Sequence, residues 1–401
     1  MKWRISLIAA SLMAATVAPA FVLSSGVEIP MDETIKAKPA TVNVLVAKQK
    51  DRVLLEAKGR YNVYDPYTHM LISSNSRSTR NWIAFDESGL KWGELFPGIY
   101  QIRVVPANAE STLLVDGIEY RGCLEIYSVR GKLNVVNQID IERYLKSTMT
   151  AQFPNEMDEE VMEAIAIVSR TNAYHMVSRK LDAPWHVEAQ ESGYLGHALT
   201  LQNIHVDRAI NNTRHMVMTY QGAPFASTWT KDSAGKTADY ATIFRKDTRT
   251  PKGVSAPFAA REREKHQWSF EVEKTELASL LGVAKVSTLD LYQDGESQKV
   301  YGARVNDGGQ FHQFDFGKLQ KALGSVKLKS NDFQVSVVGD RVQFKGFGEG
   351  LGVGLCLLSA NAMADKGDKA AKILSAFFPD TKLQNIRSFD SNSSRLIADN
   401  K

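Results

Sequence analysis

Residues 136–180 read VNQIDIERYLKSTMTAQFPNEMDEEVMEAIAIVSRTNAYHMVSRK, and this stretch organises the rest of the chain. The pattern predicts the end of a strand, a short helix, an irregular corner and one long helix. Pro154 biases the residue before it away from helix, so we expect an extended corner that includes Gln152. Either Asn155 or Asp158 can cap the second helix. Its run 161–168 is apolar on all sides, which is typical of a buried helix.

This stretch resembles the core of the stage II sporulation protein D / LytB family. The family combines a leucine-acid-x-tyrosine-leucine helix, an Ala-Glu-Met-Pro corner, and a helix with Ala-x-Ala and Arg-Thr. The matching positions are Ile141–Leu145, Ala151–Pro154, Ala164–Ala166 and Arg170–Thr171. The resemblance implies a protein that cleaves or binds denuded peptidoglycan glycan strands, which occur at division septa and during spore engulfment. The catalytic glutamate of the family falls on Gln152.

A second motif is the glycine-rich run 346–354, GFGEGLGVG. It lacks the spacing and the acidic partner of a dinucleotide fingerprint, so nucleotide binding is excluded. Strict alternation of glycine predicts an extended segment with one bare face, which a second backbone or a sugar ring can approach. The run resembles the family's Gly-x-Gly-His-Gly-Val-Gly-Met-Ser-Gln, which implies glycan contacts at Gly350, Gly352 and Gly354. Three polar family positions have become apolar or sulfur-bearing: Leu351, Cys356 and Leu357.

The third motif is Asp232–Thr237, DSAGKT. It resembles the serine- and glycine-rich loop of the same family, which implies that Ser233, Gly235 and Thr237 bind substrate together with Arg170. Small hydroxyl residues beside glycine allow close approach to a sugar. The residues alone favour an ordinary turn with a solvated lysine.

The residue at position 152 decides the expected chemistry. Glycosidic cleavage needs an acid that protonates the leaving oxygen, and an amide cannot lend that proton. We therefore predict binding of glycan strands, with lytic transglycosylase activity lost or weak. One alternative is an active enzyme with Glu349 as a relocated acid; Glu142 and Glu156 are interpreted as a solvated helix residue and a helix-start charge. Another is a protein that docks on an N-acetylmuramoyl-alanine amidase through its β-rich part.

Composition excludes several other classes. The 401 residues are 43% hydrophobic, enough for a large core, and the net charge of +4 is spread without the basic runs of a nucleic-acid-binding protein. Cys123 and Cys356 lie far apart in apolar contexts, which favours buried free thiols over a bridge. The histidines lack paired metal-ligand spacing, so we expect no metal, and no cofactor motif occurs.

The N-terminus predicts export. Residues 1–23 carry Lys2 and Arg4 before an apolar stretch, and Ala18–Ala20 resembles a cleavage site. A cleaved signal peptide would release a periplasmic protein, whereas an uncleaved anchor would hold it at the outer face of the inner membrane. Residues 24–40 are interpreted as a linker, 41–383 as the domain and 384–401 as a disordered tail.

Within the domain we predict an α+β fold, with a β-rich part (41–136) and a mixed core (137–383) built around the long helix. The strand candidates are 42–46, with Val42, Val44 and Val46 on one face, then 53–55, 70–73, 100–104, 112–115, 124–127 and 133–136, with a turn at Asp116-Gly117. Further on we expect a loop at 186–196, a helix at 207–218, a strand at 225–230, a strand and helix within 268–281, and a helix at 355–366.

Overall fold

The computed structural model describes residues 40–197, 203–246 and 248–386. They form the predicted α+β fold, with a β-rich N-terminal region followed by a mixed region of helices and short sheets. The predicted signal peptide or anchor, and the linker up to residue 39, lie outside the described residues. Within the described ranges, no helix has the length and apolar character that a membrane span requires.

The N-terminal region consists of antiparallel strands in two sheets. One sheet has the order β1-β12-β11-β8-β3-β4, extended at its β1 edge by the parallel two-residue strand β13 (Val187–Glu188), and the other has the order β10-β9-β2-β5-β6-β7. The strands of this region are β1 (Thr41–Lys50), β2 (Arg52–Lys58), β3 (Tyr61–Tyr64), β4 (Leu71–Asn75), β5 (Thr79–Asp86), β6 (Gly89–Trp92), β7 (Glu94–Pro97), β8 (Gln101–Pro106), β9 (Thr112–Val115), β10 (Ile118–Tyr120), β11 (Cys123–Val129) and β12 (Lys132–Asp140).

Local sequence explains two features of these sheets. Asp116 and Gly117 both have positive φ, 49° and 86°, which is the backbone of a two-residue hairpin turn, and Val115 pairs with Ile118 across it. In β1 the register shifts between Leu45 and Ala47. The shift leaves Val46 only partly buried while Leu45 is buried, so the prediction of one face for Val42, Val44 and Val46 is wrong at Val46.

Two helices follow the sheets: α1 (Ile141–Gln152) and α2 (Glu159–Ser178). The carboxylate of Asp158 accepts hydrogen bonds from the backbone N–H groups of Glu160 and Val161, so it, and not Asn155, caps α2. The apolar run of α2 is buried as predicted. The extended backbone before Pro154 begins at Phe153, so Gln152 is the last residue of α1 and lies outside the irregular corner.

The remaining elements surround α2 or form a second unit. The strands are β13 (Val187–Glu188), β14 (Met216–Tyr220), β15 (Trp229–Thr230), β16 (Gln267–Glu273), β17 (Thr288–Gln293), β18 (Val300–Asn306), β19 (Phe311–Asp315), β20 (Phe333–Val338), β21 (Arg341–Phe347), β22 (Leu355–Cys356) and β23 (Thr381–Asn385). The helices are α3 (Ala189–Ser192), α4 (Ile204–Asn212), α5 (Tyr240–Phe244), α6 (Pro257–Glu262), α7 (Lys274–Leu281), α8 (Phe316–Leu323), α9 (Leu357–Ala364) and α10 (Ala370–Phe377).

The structure has two main hydrophobic cores. The larger core joins the two N-terminal sheets to α1, α2, α4, α9 and α10. The smaller core lies between the three-stranded sheets β16-β21-β20 and β17-β18-β19 and the helices α7 and α8. Both cysteines are buried free thiols, as predicted.

Several element predictions need correction. The helix expected at 207–218 ends at Asn212; His215 has φ 66°, and the next residues form β14, which pairs with β23. The strand expected from Phe225 is limited to β15, whose partner β22 is equally short. The loop at 186–196 contains β13 and α3, and α9 is shorter than the helix expected there. Gln384 and Asn385 belong to β23, so the tail is ordered that far; residues 387–401 lie outside the described residues.

Candidate functional site

The corner between α1 and α2 presents the side chain of Gln152 to solvent. The next residue, Phe153, is buried, and its ring packs on that of Trp229 with 4.8 Å between centroids. Asn203 donates a hydrogen bond of 2.8 Å from its side chain to the carbonyl of Phe153. A Cβ added to Gly193 would lie 3.8 Å from the amide nitrogen of Gln152, so α3 ends beside this amide. The corner therefore holds an exposed amide beside an aromatic ring.

Strand β15 connects this corner to the glycine run. Lys231 follows Trp229 by two residues, which places their Cα atoms within about 7 Å. The ammonium of Lys231 lies 2.5 Å from the carboxylate of Glu349. The main chain of Glu349 also pairs with that of Asp232 through two hydrogen bonds. Gln152 and Glu349, 197 positions apart in the sequence, thus flank one short segment of chain.

The glycine run is not an extended strand. Gly348, Gly350, Gly352 and Gly354 all have positive φ, between 59° and 103°, a region that only glycine adopts freely. A Cβ at Gly354 would collide with the carbonyl oxygen of Thr228, and one at Gly350 would lie 2.5 Å from the hydroxyl of Thr230. The bare face predicted from the alternation is therefore covered by the chain's own segment 228–232. The close approach is to protein backbone.

The serine- and glycine-rich loop is also buried. Ser233 and Thr237 are each 1% exposed. Thr237 accepts a hydrogen bond of 2.8 Å from the backbone of Val254, and Gly235 packs against Ala260. The ammonium of Lys236 donates to the carbonyl of Glu296. Direct hydroxyl contact with a polymer does not fit this arrangement, because the hydroxyls have no access to solvent, whereas residues 234–235 do form a turn and Lys236 is partly exposed.

Arg170 lies in the core and not in a groove. Its side chain is 0% exposed and pairs with Glu142 through Nε at 2.9 Å and Nη2 at 2.7 Å. The remaining donors bind the hydroxyl of Thr213 and the carbonyls of Met216 and Ile210. All five guanidinium N–H groups are thus engaged. Arg170 therefore joins α1, α2, α4 and β14, and its predicted role in substrate binding is wrong. Glu142 is the ion-pair partner of Arg170 and is not the solvated helix residue that was predicted.

Sequence reasoning missed a charged cluster beneath the serine- and glycine-rich loop. Lys299 is 1% exposed, and its ammonium lies 2.6 Å from both the carboxylate of Asp332 and the carbonyl of Ser233. Burial lowers the pKa of Lys299, and Asp332 opposes that shift. Arg263 makes two bonds of 2.8 Å to Asp332 and one to the carbonyl of Ala234. These residues are so far apart in sequence that no local pattern could have revealed the cluster.

The positions where polar family residues are replaced are buried as well. Cys356 is 0% exposed and Leu357 is 6% exposed, while Leu351 packs against the smaller core. The thiol of Cys356 accepts a hydrogen bond of 3.4 Å from the backbone of Ser233. The Ser233 hydroxyl has no hydrogen-bond partner within the described ranges. The sulfur and apolar side chains here are consistent with their surroundings and provide no proton donor to solvent.

The chemistry at and near the corner consists of an exposed amide, a partly buried indole ring and an exposed ammonium–carboxylate pair. Aromatic faces and amides bind sugar rings through apolar contact and hydrogen bonds. Of the predicted site residues, the structure leaves Gln152 and Glu349 exposed, uses Gly350, Gly352 and Gly354 for internal packing, buries Ser233, Thr237 and Arg170, and leaves Gly235 partly buried.

Comparison with known proteins supports a family assignment. A family model described as "Stage II sporulation protein" matches residues 129–220, which contain α1, α2, α4 and β14. An uncharacterized protein of Chlamydia muridarum is 30% identical over 190 residues, covering 47% of this chain and 65% of the relative, just under two thirds of its length. An uncharacterized protein of Chlamydia pneumoniae is 30% identical over 192 residues, covering 47% of this chain and 69% of the relative. An uncharacterized protein of Brachyspira hyodysenteriae is 24% identical over 350 residues, covering 84% of this chain and 91% of the relative.

Proposed function

The chain belongs to the stage II sporulation protein family, which indicates a cell-wall-related function, and from that premise we propose that it binds denuded peptidoglycan glycan strands with little or no cleavage. The observation that carries the proposal is the exposed amide of Gln152 at the end of α1, one residue before Phe153, whose ring packs on Trp229. An amide can accept and donate hydrogen bonds to sugar hydroxyls but cannot act as a general acid near neutral pH. The protein is thus proposed to recognise a polymer without cutting it.

The alternative acid, Glu349, is poorly suited to the role. It is about half exposed and lies 2.5 Å from the ammonium of Lys231. In retaining and inverting glycosidases the acid is kept protonated by an apolar or anionic environment. Glu349 is better explained as the partner that orients Lys231 at the edge of the site.

Cosedimentation with amidase-stripped glycan strands tests binding. We expect the purified protein to pellet with the strands, and Trp229→Ala to weaken pelleting several-fold because the aromatic platform is lost. Gln310→Ala, in the exposed turn between β18 and β19, is the matched control. Full recovery of the Trp229→Ala variant in the pellet would place the glycan elsewhere on the molecule.

Gain of function tests the chemical claim. We expect Gln152→Glu to release anhydro-ended muramyl fragments from the same strands, since a carboxyl at this position restores a proton donor worth about 10²–10⁴ in rate. Adding Glu349→Gln to the Gln152→Glu variant should leave the yield of anhydro-ended fragments unchanged. Anhydro products from the unmodified protein, abolished by Glu349→Gln, would instead establish Glu349 as the acid.

A second candidate, docking on an N-acetylmuramoyl-alanine amidase, is supported by exposed apolar residues in the β-rich region. At the β3–β4 hairpin, Tyr67 is 80% exposed, Met70 68% and Leu71 56%. Apolar side chains grouped in this way are typical of protein contacts. Pull-down of purified amidase without glycan, lost on Tyr67→Ser/Met70→Ser, tests this candidate; a capture that requires glycan would argue against direct docking.

The proposal includes export, and the N-terminal residues that would direct it lie outside the described residues. We propose that residues 1–23 direct the chain across the inner membrane, either as a cleaved signal peptide or as an anchor. Sequencing the N-terminus of protein recovered from the periplasm distinguishes the two. A chain found entirely in the cytoplasm would exclude contact with peptidoglycan and overturn the proposed function.

A further inference from the structure

A cavity of about 810 Å³ opens at the N-terminal end of α1. It is enclosed by the ends of β8 and β12, the segment 108–111, the β10–β11 connection, the first two turns of α1 and residues 196–197. Its volume is in the range of small-molecule sites. The twelve residues of α1 span about 18 Å. The cavity and the exposed amide of Gln152 therefore lie at opposite ends of one helix and are separate sites.

The charged side chains at the cavity are mostly cationic. Arg121, Arg143 and Lys146 line it. Arg121 lies 3.2 Å from Glu119, and Lys146 lies 2.6 Å from Asp207, so both retain an internal partner.

Arg143 differs from the other two cations. Its exposed side chain has no anionic partner within the described ranges. The carboxylate of Asp140, which also lines the cavity, is occupied by the backbone N–H groups of Glu142 and Arg143. One cation is thus left for a ligand, beside two others that add to the local positive potential.

The rest of the wall is apolar or neutral. Tyr120 and Ile139 contribute buried apolar surface, Val105 contributes partly buried apolar surface, and Asn108 and Ser111 contribute neutral polar groups. A wall of this kind fits a molecule with a compact apolar body and an acidic end. Inorganic anions would satisfy the charge but leave the apolar surface in water.

We propose that this cavity is a second binding site, which takes a small organic acid whose carboxylate pairs with the Arg143 guanidinium while its body packs against the wall of the β-sheets. Guanidinium–carboxylate pairs are strong when the two groups meet in fork geometry. Neither the family match nor the glycan-binding proposal requires such a site. The carboxylate could belong to a wall peptide or to a free metabolite.

His197 provides an internal reporter, because it lines the same cavity. Burial lowers its pKa, and Arg121, Lys146 and Arg143 lower it further, against an opposite effect of Glu119. A bound carboxylate would offset the three cations and raise the pKa of His197. A ligand bound elsewhere would leave that pKa unchanged.

Calorimetric titration of the full chain, with the His197 ring followed by NMR, tests the site. The probes are the dipeptide alanyl-glutamate for a wall-peptide source, isovalerate for a metabolite source, and inorganic phosphate as an anion without an apolar body. We expect one carboxylate probe to bind at least tenfold more tightly than phosphate and to raise the His197 pKa. Whichever of the two binds more tightly identifies the source.

Variants complete the test. Arg143→Gln should weaken that probe tenfold or more, Arg143→Lys should restore part of the affinity, and Arg208→Gln, exposed on α4, should change nothing. Pelleting with glycan strands should be unchanged in all three, which separates failure of this site from failure of glycan binding. Equal binding of phosphate, an unmoved His197 signal, or binding unaffected by Arg143→Gln would each overturn the proposal.

Discussion

Arg170 illustrates how one residue can match a family motif and yet act far from substrate. Its guanidinium is fully buried and ties Glu142 to three backbone or hydroxyl oxygens. Removing one partner of a buried ion pair leaves the other charge uncompensated. The Arg170-Thr171 pair of the sequence therefore concerns stability of the helical core.

We expect Arg170→Met to lower the free energy of unfolding by about 3–5 kcal/mol, since Glu142 would remain buried without its counter-ion. Arg208→Met, on the exposed face of α4, should change it by less than about 0.5 kcal/mol. Urea unfolding followed by circular dichroism measures both. An Arg170→Met protein with unaltered stability but weaker glycan binding would return Arg170 to the substrate site.

The glycine run packs on the chain itself, and a substitution at Gly354 tests this finding. Gly354→Ala would force a Cβ into the carbonyl oxygen of Thr228. Gly367 has a similar φ, 86°, but open space around it. Gly367→Ala should cost only the backbone strain of about 1–2 kcal/mol, and Gly354→Ala clearly more. Thermal unfolding compares them; equal losses would mean that the run has room for a side chain, and hence for a ligand.

At the scale of elements, the start of α2 is the point that the sequence left open. Asp158 makes the capping bonds, whereas Asn155 is exposed in the corner. We expect Asp158→Ala to destabilise the protein by about 1 kcal/mol and Asn155→Ala to have almost no effect. Chemical unfolding of the two variants decides the matter. The reverse order would mean that the helix begins earlier than residue 159.

Elements with a strong local signal could be predicted from the sequence. The apolar run of α2 and the Asp116-Gly117 turn depend on neighbours in the chain, and both lie where expected. Strands β3, β5, β6, β7 and β10 were missed; β5, for example, has mostly exposed residues and pairs with β2 and β6. Pairing of that kind depends on residues that are distant in the sequence. The early end of α4 has the same cause, because the residues that follow it form β14, which pairs with β23.

The candidate site was only partly accessible to sequence reasoning for the same reason. Pro154 correctly predicted an extended residue before it, but Gln152, expected in the corner, is the last residue of α1. The burial of Ser233 depends on Lys299, which lies 66 positions away in the sequence. A motif records which residues lie next to each other in the chain, but access to solvent is decided by what folds over them.

At the scale of the whole molecule, burial of tyrosines couples the fold to alkaline pH. Burial raises the pKa of Tyr120 and of Tyr174 to about 12, and raises those of Tyr127, Tyr144 and Tyr194 as well. In the unfolded chain a tyrosine ionises near pH 10. Lys299 acts in the opposite sense, because burial lowers its pKa and the folded state therefore gains stability as pH rises toward 10.5.

The sign for the tyrosines follows from proton binding. Between about pH 10 and 12 the unfolded chain releases phenolic protons that the folded protein keeps, so stability that is fully present below pH 10 is lost as pH rises. We expect Tyr120→Phe to flatten this loss by about 2 kcal/mol at pH 12, because a phenyl ring has no proton to release. Tyr67→Phe, at a residue 80% exposed, should leave the profile unchanged. Urea midpoints measured from pH 8 to 12 provide the comparison. Parallel profiles for all three proteins would mean that Tyr120 ionises in the folded state as readily as in solvent, and that the core around it is open to water.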